Sequence, residues 1–307
     1  MIIDCFTHAW DSSRLLGRCL PAPQSKPIGR LSNSAPLDAA PARHLQAADP
    51  VDRTIVLGFK SHYLGAEIPN QQVASYVNDH ADRLIGFAGV DPAHPKEALQ
   101  ELRRSREELG LRGLSIAPAA QDFHPCDSQA MLVYAEAADS GMPIMFHTGV
   151  FLAPETKMEY AQPMLLDAVA RDLPNLKIVI AHLGFPWVQE TLTLLTKHPN
   201  VYAEISWLAQ QPWQAYQALL AASQLGVIDK LLFGSGFPLA PASLCIEALY
   251  SLNHLVQATN LAAIPREQIR GVVERDALSL LGLATERDVS ARIRDAALAE
   301  EEEFEPA

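Results

Sequence analysis

Short apolar, β-branched runs alternate eight times with longer segments whose apolar residues recur at helical spacing. That alternation limits what this 307-residue chain can fold into more than any other feature. The strand-like runs are Ile2–His8, Thr54–Phe59, Leu84–Asp91, Arg112–Pro118, Pro143–Thr148, Leu176–His182, Asn200–Ser206 and Lys230–Ser235. Helical spacing covers Leu37–Ala48, Asn70–Ala81, Lys96–Leu109, Ser128–Ser140, Tyr160–Asp172, Trp187–Lys197 and Trp213–Leu225, then Ala242–Leu255 after the last strand. Runs such as Pro143–Phe146 and Lys177–Ala181 are almost continuously apolar, as expected of parallel strands covered on both faces. Eight such repeats predict an α/β fold of a single (β/α)8 barrel of the TIM type. A doubly wound open sheet is the runner-up, but no G-x-G-x-x-G turn follows any strand.

Two segments fall outside the repeat. Asp11–Pro36 is rich in Pro, Ser and Gly and follows the first strand, which predicts an insertion covering the barrel mouth or a solvated excursion beside it. Arg266–Leu281 reads as one or two closing helices. Residues 1–284 are therefore assigned to the barrel and 285–307 to a flexible acidic tail, where eight acids face three arginines. With 49% hydrophobic and 20% charged residues, the chain can bury a sizeable core. Its net charge of −12 disfavours nucleic-acid and anionic-membrane partners. The four cysteines are dispersed and form no C-x-x-C pair, against a zinc knuckle or a disulfide scaffold. The Met-Ile-Ile-Asp start carries no signal-peptide pattern and no run reaches membrane-spanning length, so a reduced, cytoplasmic setting is expected.

In a barrel, catalytic groups come from the C-terminal ends of strands. His8, His147 and His182 end three of the strands in a chain with ten histidines. Period-two alternation places Asp4, Phe6 and His8 on one face of the first strand. Three histidines at equivalent positions point to a metal or proton-transfer site. Glu204 and Asp91, near strand ends, read as hydrogen-bonding residues or replacement acids. His44, His80, His94, His124, His198 and His254 fall in loops or on helices and are expected at the surface.

The segments around these histidines carry a family resemblance. Ile2–Trp10 (IIDCFTHAW) resembles the D-x-H-x-H start of the amidohydrolase superfamily. Gly86–Pro92, Gly110–Pro118, Gly141–Gly149, Leu176–Trp187, Asn200–Ser206 and Leu231–Pro238 follow in the order of one branch. That branch is the amidohydrolase-related family of aminocarboxymuconate-semialdehyde decarboxylases, resorcylate-type decarboxylases and lactone hydrolases, and the resemblance runs from residue 1 to about 282. It implies a divalent metal such as zinc, held by two histidines on strand one, one on strand five and an aspartate after strand eight. A further strand-six histidine would hold or activate the reacting group. Position by position, His8, His147 and His182 match three of these. Phe6 stands at the first strand-one ligand and Gly236 at the strand-eight aspartate. The first has no lone pair for a metal and the second has no side chain, and a Phe6 ring filling the space beside Gly236 would make the two changes compensate.

Two functions follow. One is a hydrolase or decarboxylase of a small carboxylic acid or lactone with a reduced site, in which His8, His147 and His182 hold zinc or another divalent metal, or none is bound. His182 is its catalytic residue, and His62 and Lys60 are candidate contacts for a substrate carboxylate. The other is an inactive barrel acting as a binding or regulatory partner. Metal-free acid–base chemistry by His147 and His182, with Asp4 behind them, is a third route. A homodimer is expected by analogy with relatives.

Overall fold

The computed structural model describes residues 1–19, 38–149, 153–286, 288 and 290. Ten strands are present among them: β1 (Ile3–Thr7), β2 (Arg53–Leu57), β3 (Phe59–Ser61), β4 (Ala66–Ile68), β5 (Leu84–Gly89), β6 (Gly113–Ile116), β7 (Ile144–Phe146), β8 (Ile178–Ile180), β9 (Val201–Glu204) and β10 (Leu231–Leu232). Eight of them pair in parallel in the order β1-β2-β5-β6-β7-β8-β9-β10. The last and first strands meet through Cys5 N–H to Phe233 O (2.9 Å), Gly236 N–H to Phe6 O (3.0 Å) and His8 N–H to Phe237 O (3.0 Å). The fold is the expected (β/α)8 barrel, and each predicted strand overlaps an observed one.

Alternate strand residues point to opposite faces. Ile55, Leu57, Ile85, Phe87, Met145 and Val179 fill the barrel interior, which Ala277, Leu278 and Leu281 close from below. Val56, Ala88, Leu114, Ile116, Ile144 and Ile178 pack outward against the helices. Interior crowding dictates a glycine at 113, where a Cβ would lie 2.5 Å from the Phe87 ring. In β1 the pairing register with β2 shifts between Asp4 and Thr7. Cys5 and Phe6 consequently both join the interior cluster. Strict alternation does not hold across this irregularity, and the Asp4 carboxylate turns to the closing seam, where its Oδ1 accepts from Ser235 N (2.9 Å) and Phe6 N (3.2 Å).

Several details depart from the sequence expectations. The antiparallel pair β3–β4 was not anticipated; it stands after β2 and lifts Lys60, Ser61 and His62 at the mouth. The Tyr160–Asp172 helix begins only at Leu166, behind two short turns. His44 and His198, expected at the surface, are buried. The helix Pro41–Ala47 presses His44 against the barrel wall, where its two ring nitrogens meet Tyr76 Oη (2.7 Å) and Thr7 Oγ1 (2.8 Å). His198 contacts Asp167 at 2.7 Å. Buried imidazoles persist only with such partners, because an unpaired polar atom away from water is costly.

Of the insertion expected over the mouth, residues 20–37 lie outside the described residues. Its beginning packs on the β3–β4 pair, with Leu16 buried and Arg18 N–H bonded to Leu64 O at 3.0 Å. Most of the acidic tail likewise lies outside them. Asp288 is described: it is buried, pairs with Arg53 at 2.5 Å and accepts from Thr285 N at 2.8 Å.

Candidate functional site

The C-terminal ends of the barrel strands bring His8, His147 and His182 together around one ring, that of Phe6. Centroid separations from Phe6 are 5.4 Å to His8, 5.0 Å to His147 and 4.6 Å to His182. His8 lies 5.5 Å from His147, and His147 lies 6.2 Å from His182. Each imidazole is oriented from behind. His8 Nδ1–H donates to Leu57 O at 2.8 Å, leaving the lone pair on Nε2. His147 Nε2 contacts the buried Ser115 Oγ at 3.2 Å.

His182 has the most elaborate support. Its Nδ1 lies 2.7 Å from Ser206 Oγ, and Ser206 Oγ donates to Glu204 Oε1 at 2.9 Å. The hydroxyl proton is spent on Glu204, so His182 Nδ1–H is the donor to Ser206 and Nε2 carries the lone pair. Glu204 also accepts from His182 N (2.5 Å) and Ser206 N (2.7 Å). His182 and Leu183 hold left-handed backbone at φ 55° and 49°, and Trp207, next to Ser206, has φ 70°. Such conformations cost non-glycine residues about 1 kcal/mol or more each and persist where surrounding contacts enforce them.

Burial sets the protonation states. It lowers His8 and His182 to about 4 and His147 well below its ordinary value, so all three rings are neutral at pH 7. Burial raises Glu204 to about 7 and Asp4 to about 6, against the hydrogen bonds that favour their charged forms. The 3.4 Å approach of His182 Nδ1 to Glu204 is therefore a neutral imidazole beside a titrating carboxyl rather than a standing ion pair.

Whether a divalent metal fits among these residues is decided by the donors. Phe6 and Gly236 offer none, and the Phe6 ring stands in contact with all three imidazoles. Among the described residues, the three-ligand group with atoms mutually within 4.8 Å is a different one, His62, Asp91 and His94. As the side chains stand, His8, His147 and His182 are not drawn into such a group, and with no donor at Phe6 and Gly236 the full ligand set that the resemblance implies is incomplete. The Phe6 ring is not among the three atoms nearest a Cβ at Gly236. The atoms nearest a Cβ at Gly236 are Ser206 Cβ (3.2 Å), Ser206 Oγ (3.6 Å) and Trp207 N (3.7 Å). Phe6 instead approaches Gly234, where a Cβ would lie 3.1 Å from Phe6 Cβ and 2.3 Å from Glu204 Oε2.

The weaker sequence candidates lie at the rim. Lys60 Nζ is already engaged by Glu97 (2.6 Å) and Glu67 (3.3 Å), and His62 contacts Asp91 and Glu97. The sequence alone assigns no role to Ser206. Its only signal there is its place two residues after Glu204 at a strand end.

A closed eight-stranded parallel barrel whose strand ends gather three histidines defines the class as a (β/α)8 barrel with a histidine-rich mouth. The sequence matches the amidohydrolase family over residues 3–283, and the chain belongs to that family. It is 26% identical over 139 residues to 2-amino-3-carboxymuconate-6-semialdehyde decarboxylase of Dictyostelium discoideum, a match covering 40% of this chain and 39% of that protein. Among solved structures, a probable 2-pyrone-4,6-dicarboxylic acid hydrolase from Acinetobacter baumannii with citric acid bound superposes with a TM-score of 0.65 at 16% identity, covering 92% of this chain and 99% of that one. A dihydroxybenzoic acid decarboxylase from Polaromonas with bound manganese and 2-nitroresorcinol gives a TM-score of 0.63 at 14% identity, covering 94% and 98%. At these identities the structures share the fold.

Proposed function

We propose that this chain hydrolyses a small lactone or ester bearing a carboxylate, with His182 as a general base that needs no metal beside it. The relay from His182 through Ser206 to Glu204 carries the reading. His182 Nε2 takes a proton from water as the water oxygen bonds to the substrate carbonyl carbon. The imidazolium so formed is stabilised by Ser206 and the Glu204 carboxylate 3.4 Å away, and it returns the proton to the leaving alkoxide. A neutral ring with its proton fixed on Nδ1 is poised to accept a proton and holds none to give at Nε2. This favours hydrolysis over protonation of a decarboxylated carbon. The small carboxylates named for the family's other members support the substrate class.

A second reading is an inactive barrel that binds a ligand or partner, favoured by the Phe6 ring standing among the imidazoles. Assaying the purified chain against carboxylated lactones and hydroxybenzoates separates the two. Lactone turnover lost in His182→Asn and reduced at least a hundredfold in Glu204→Gln supports the hydrolase. No turnover of any compound by wild type overturns it in favour of the binding barrel, and decarboxylation without hydrolysis rejects the assigned chemistry.

A further inference from the structure

At the mouth, away from the Phe6 cluster, three elements converge on one carboxylate oxygen. Asp91 follows β5 and is buried, His62 follows β3, and His94 precedes the helix Pro95–Glu107. Asp91 Oδ2 lies 2.9 Å from His62 Nδ1 and 3.8 Å from His94 Nδ1, and the two imidazole rings are 4.0 Å apart. Asp91 is held by backbone, its Oδ2 accepting from His62 N (2.8 Å) and its Oδ1 from Ala93 N (3.2 Å). An independent feature lies behind the first ring: His62 Nε2 is 3.2 Å from Glu97 Oε2, and Glu97 Oε1 is 2.6 Å from Lys60 Nζ. Lys60 is the main cause that holds the Glu97 carboxyl below its usual range.

We propose that His62, Asp91 and His94 form a divalent-cation site, a zinc site at the barrel rim whose remaining coordination positions are open to water or a small anion. In the cation-free cluster His62 Nδ1–H donates to Asp91 Oδ2 at 2.9 Å, and a cation taking the place of that proton would leave the ring's remaining proton on Nε2, which faces Glu97 Oε2 at 3.2 Å. A carboxylate holding the far nitrogen of a metal-bound imidazole is the usual supporting arrangement for a histidine ligand. The Nδ1 proton now bridges His62 and Asp91, and a divalent cation exchanging for it would draw on the same two atoms and on His94 Nδ1, 3.8 Å from Asp91 Oδ2. Two imidazole nitrogens and a carboxylate oxygen, mutually within 4.8 Å, are a donor set suited to zinc. The site stands or falls independently of the lactonase reading, because it shares no residue with the His182 relay.

The test is titration of the full chain, stripped with chelator and dialysed, with zinc alone by calorimetry, and with cobalt followed by its visible ligand-field bands. His94 and Glu97 are accessible at the surface, so their variants keep the test clear of misfolding. The expected result is one zinc at micromolar or tighter affinity in wild type. His94→Ala should weaken it at least tenfold and Glu97→Gln ten- to a hundredfold, with His147→Ala unaffected. Binding unchanged in both rim variants, lost in His147→Ala, or absent below millimolar zinc overturns the proposal and leaves a proton bridging the cluster.

Discussion

His182 is the residue on which the site turns, and its backbone offers a direct check. At φ 55° alanine is strained where glycine is not. Both His182→Ala and His182→Gly lose the Ser206 contact, so their difference isolates the backbone. The glycine variant should be the more stable by about 1 kcal/mol, the reverse of the ordinary order, as read by urea unfolding. Gly234 carries the opposite constraint, since a Cβ there would lie 2.3 Å from Glu204 Oε2. Gly234→Ala should displace Glu204 and cost about 1–3 kcal/mol, with lactone turnover falling in step. Phe6→Ala should cost about 3–5 kcal/mol if the ring packs as a core residue among the imidazoles. A cost under 1 kcal/mol would mean that the space reopens to water.

At the scale of elements, the helix Pro41–Ala47 is tied to the barrel by His44, whose ring links Thr7 of β1 to Tyr76. His44→Ala removes both bonds and leaves Thr7 and Tyr76 facing a void. A loss of about 2–4 kcal/mol is expected, measured as a lowered unfolding midpoint at unchanged m-value. The eight barrel strands were legible because burial on both faces makes them nearly continuous apolar runs such as Ile178–Ile180. The β3–β4 pair was not, because three-residue strands carrying Lys60 and Glu67 show too few apolar positions to register a period. His44 was misplaced since a histidine on a short helix gives no sign of what lies beneath it. The three site histidines could be read from their places at strand ends. The Ser206 link could not, for it joins residues 24 positions apart on neighbouring strands.

Across the whole molecule, buried titratable groups set how stability answers to pH. His8, His44 and His182 fall to about 4 in the fold, and burial holds His147 well below its ordinary value. Between about pH 4 and 6.5 the unfolded chain binds protons on these four that the native chain refuses, so stability rises with pH. Asp4 and Glu204, raised to about 6 and 7, act in the other sense, because the native state keeps protons that the unfolded chain releases from its ordinary carboxyl range upward. Four groups outweigh two, and unfolding free energy should climb from pH 4.5 to 6.5. In Glu204→Gln the climb should be steeper, since one opposing group is gone. A flat profile in wild type would show that the histidines are hydrated and titrate normally. For turnover, kcat/KM should rise through about pH 7 as Glu204 ionises, and in Glu204→Gln that limb should vanish from the profile of the residual activity.

The seam between the first and last strands has a consequence during synthesis. The bond from Ser235 N–H to Asp4 Oδ1 spans 231 positions of sequence, and Gly236 N–H to Phe6 O joins strands equally remote. The residues that begin the chain must therefore wait, unsealed, until more than three-quarters of it has left the ribosome. A nascent chain ending before Leu231 has seven of eight staves, with two raw edges and the Phe6 pocket exposed. Such intermediates are the ones that chaperones hold, and ribosome-arrested chains ending before and after Pro238 should differ sharply in resistance to protease.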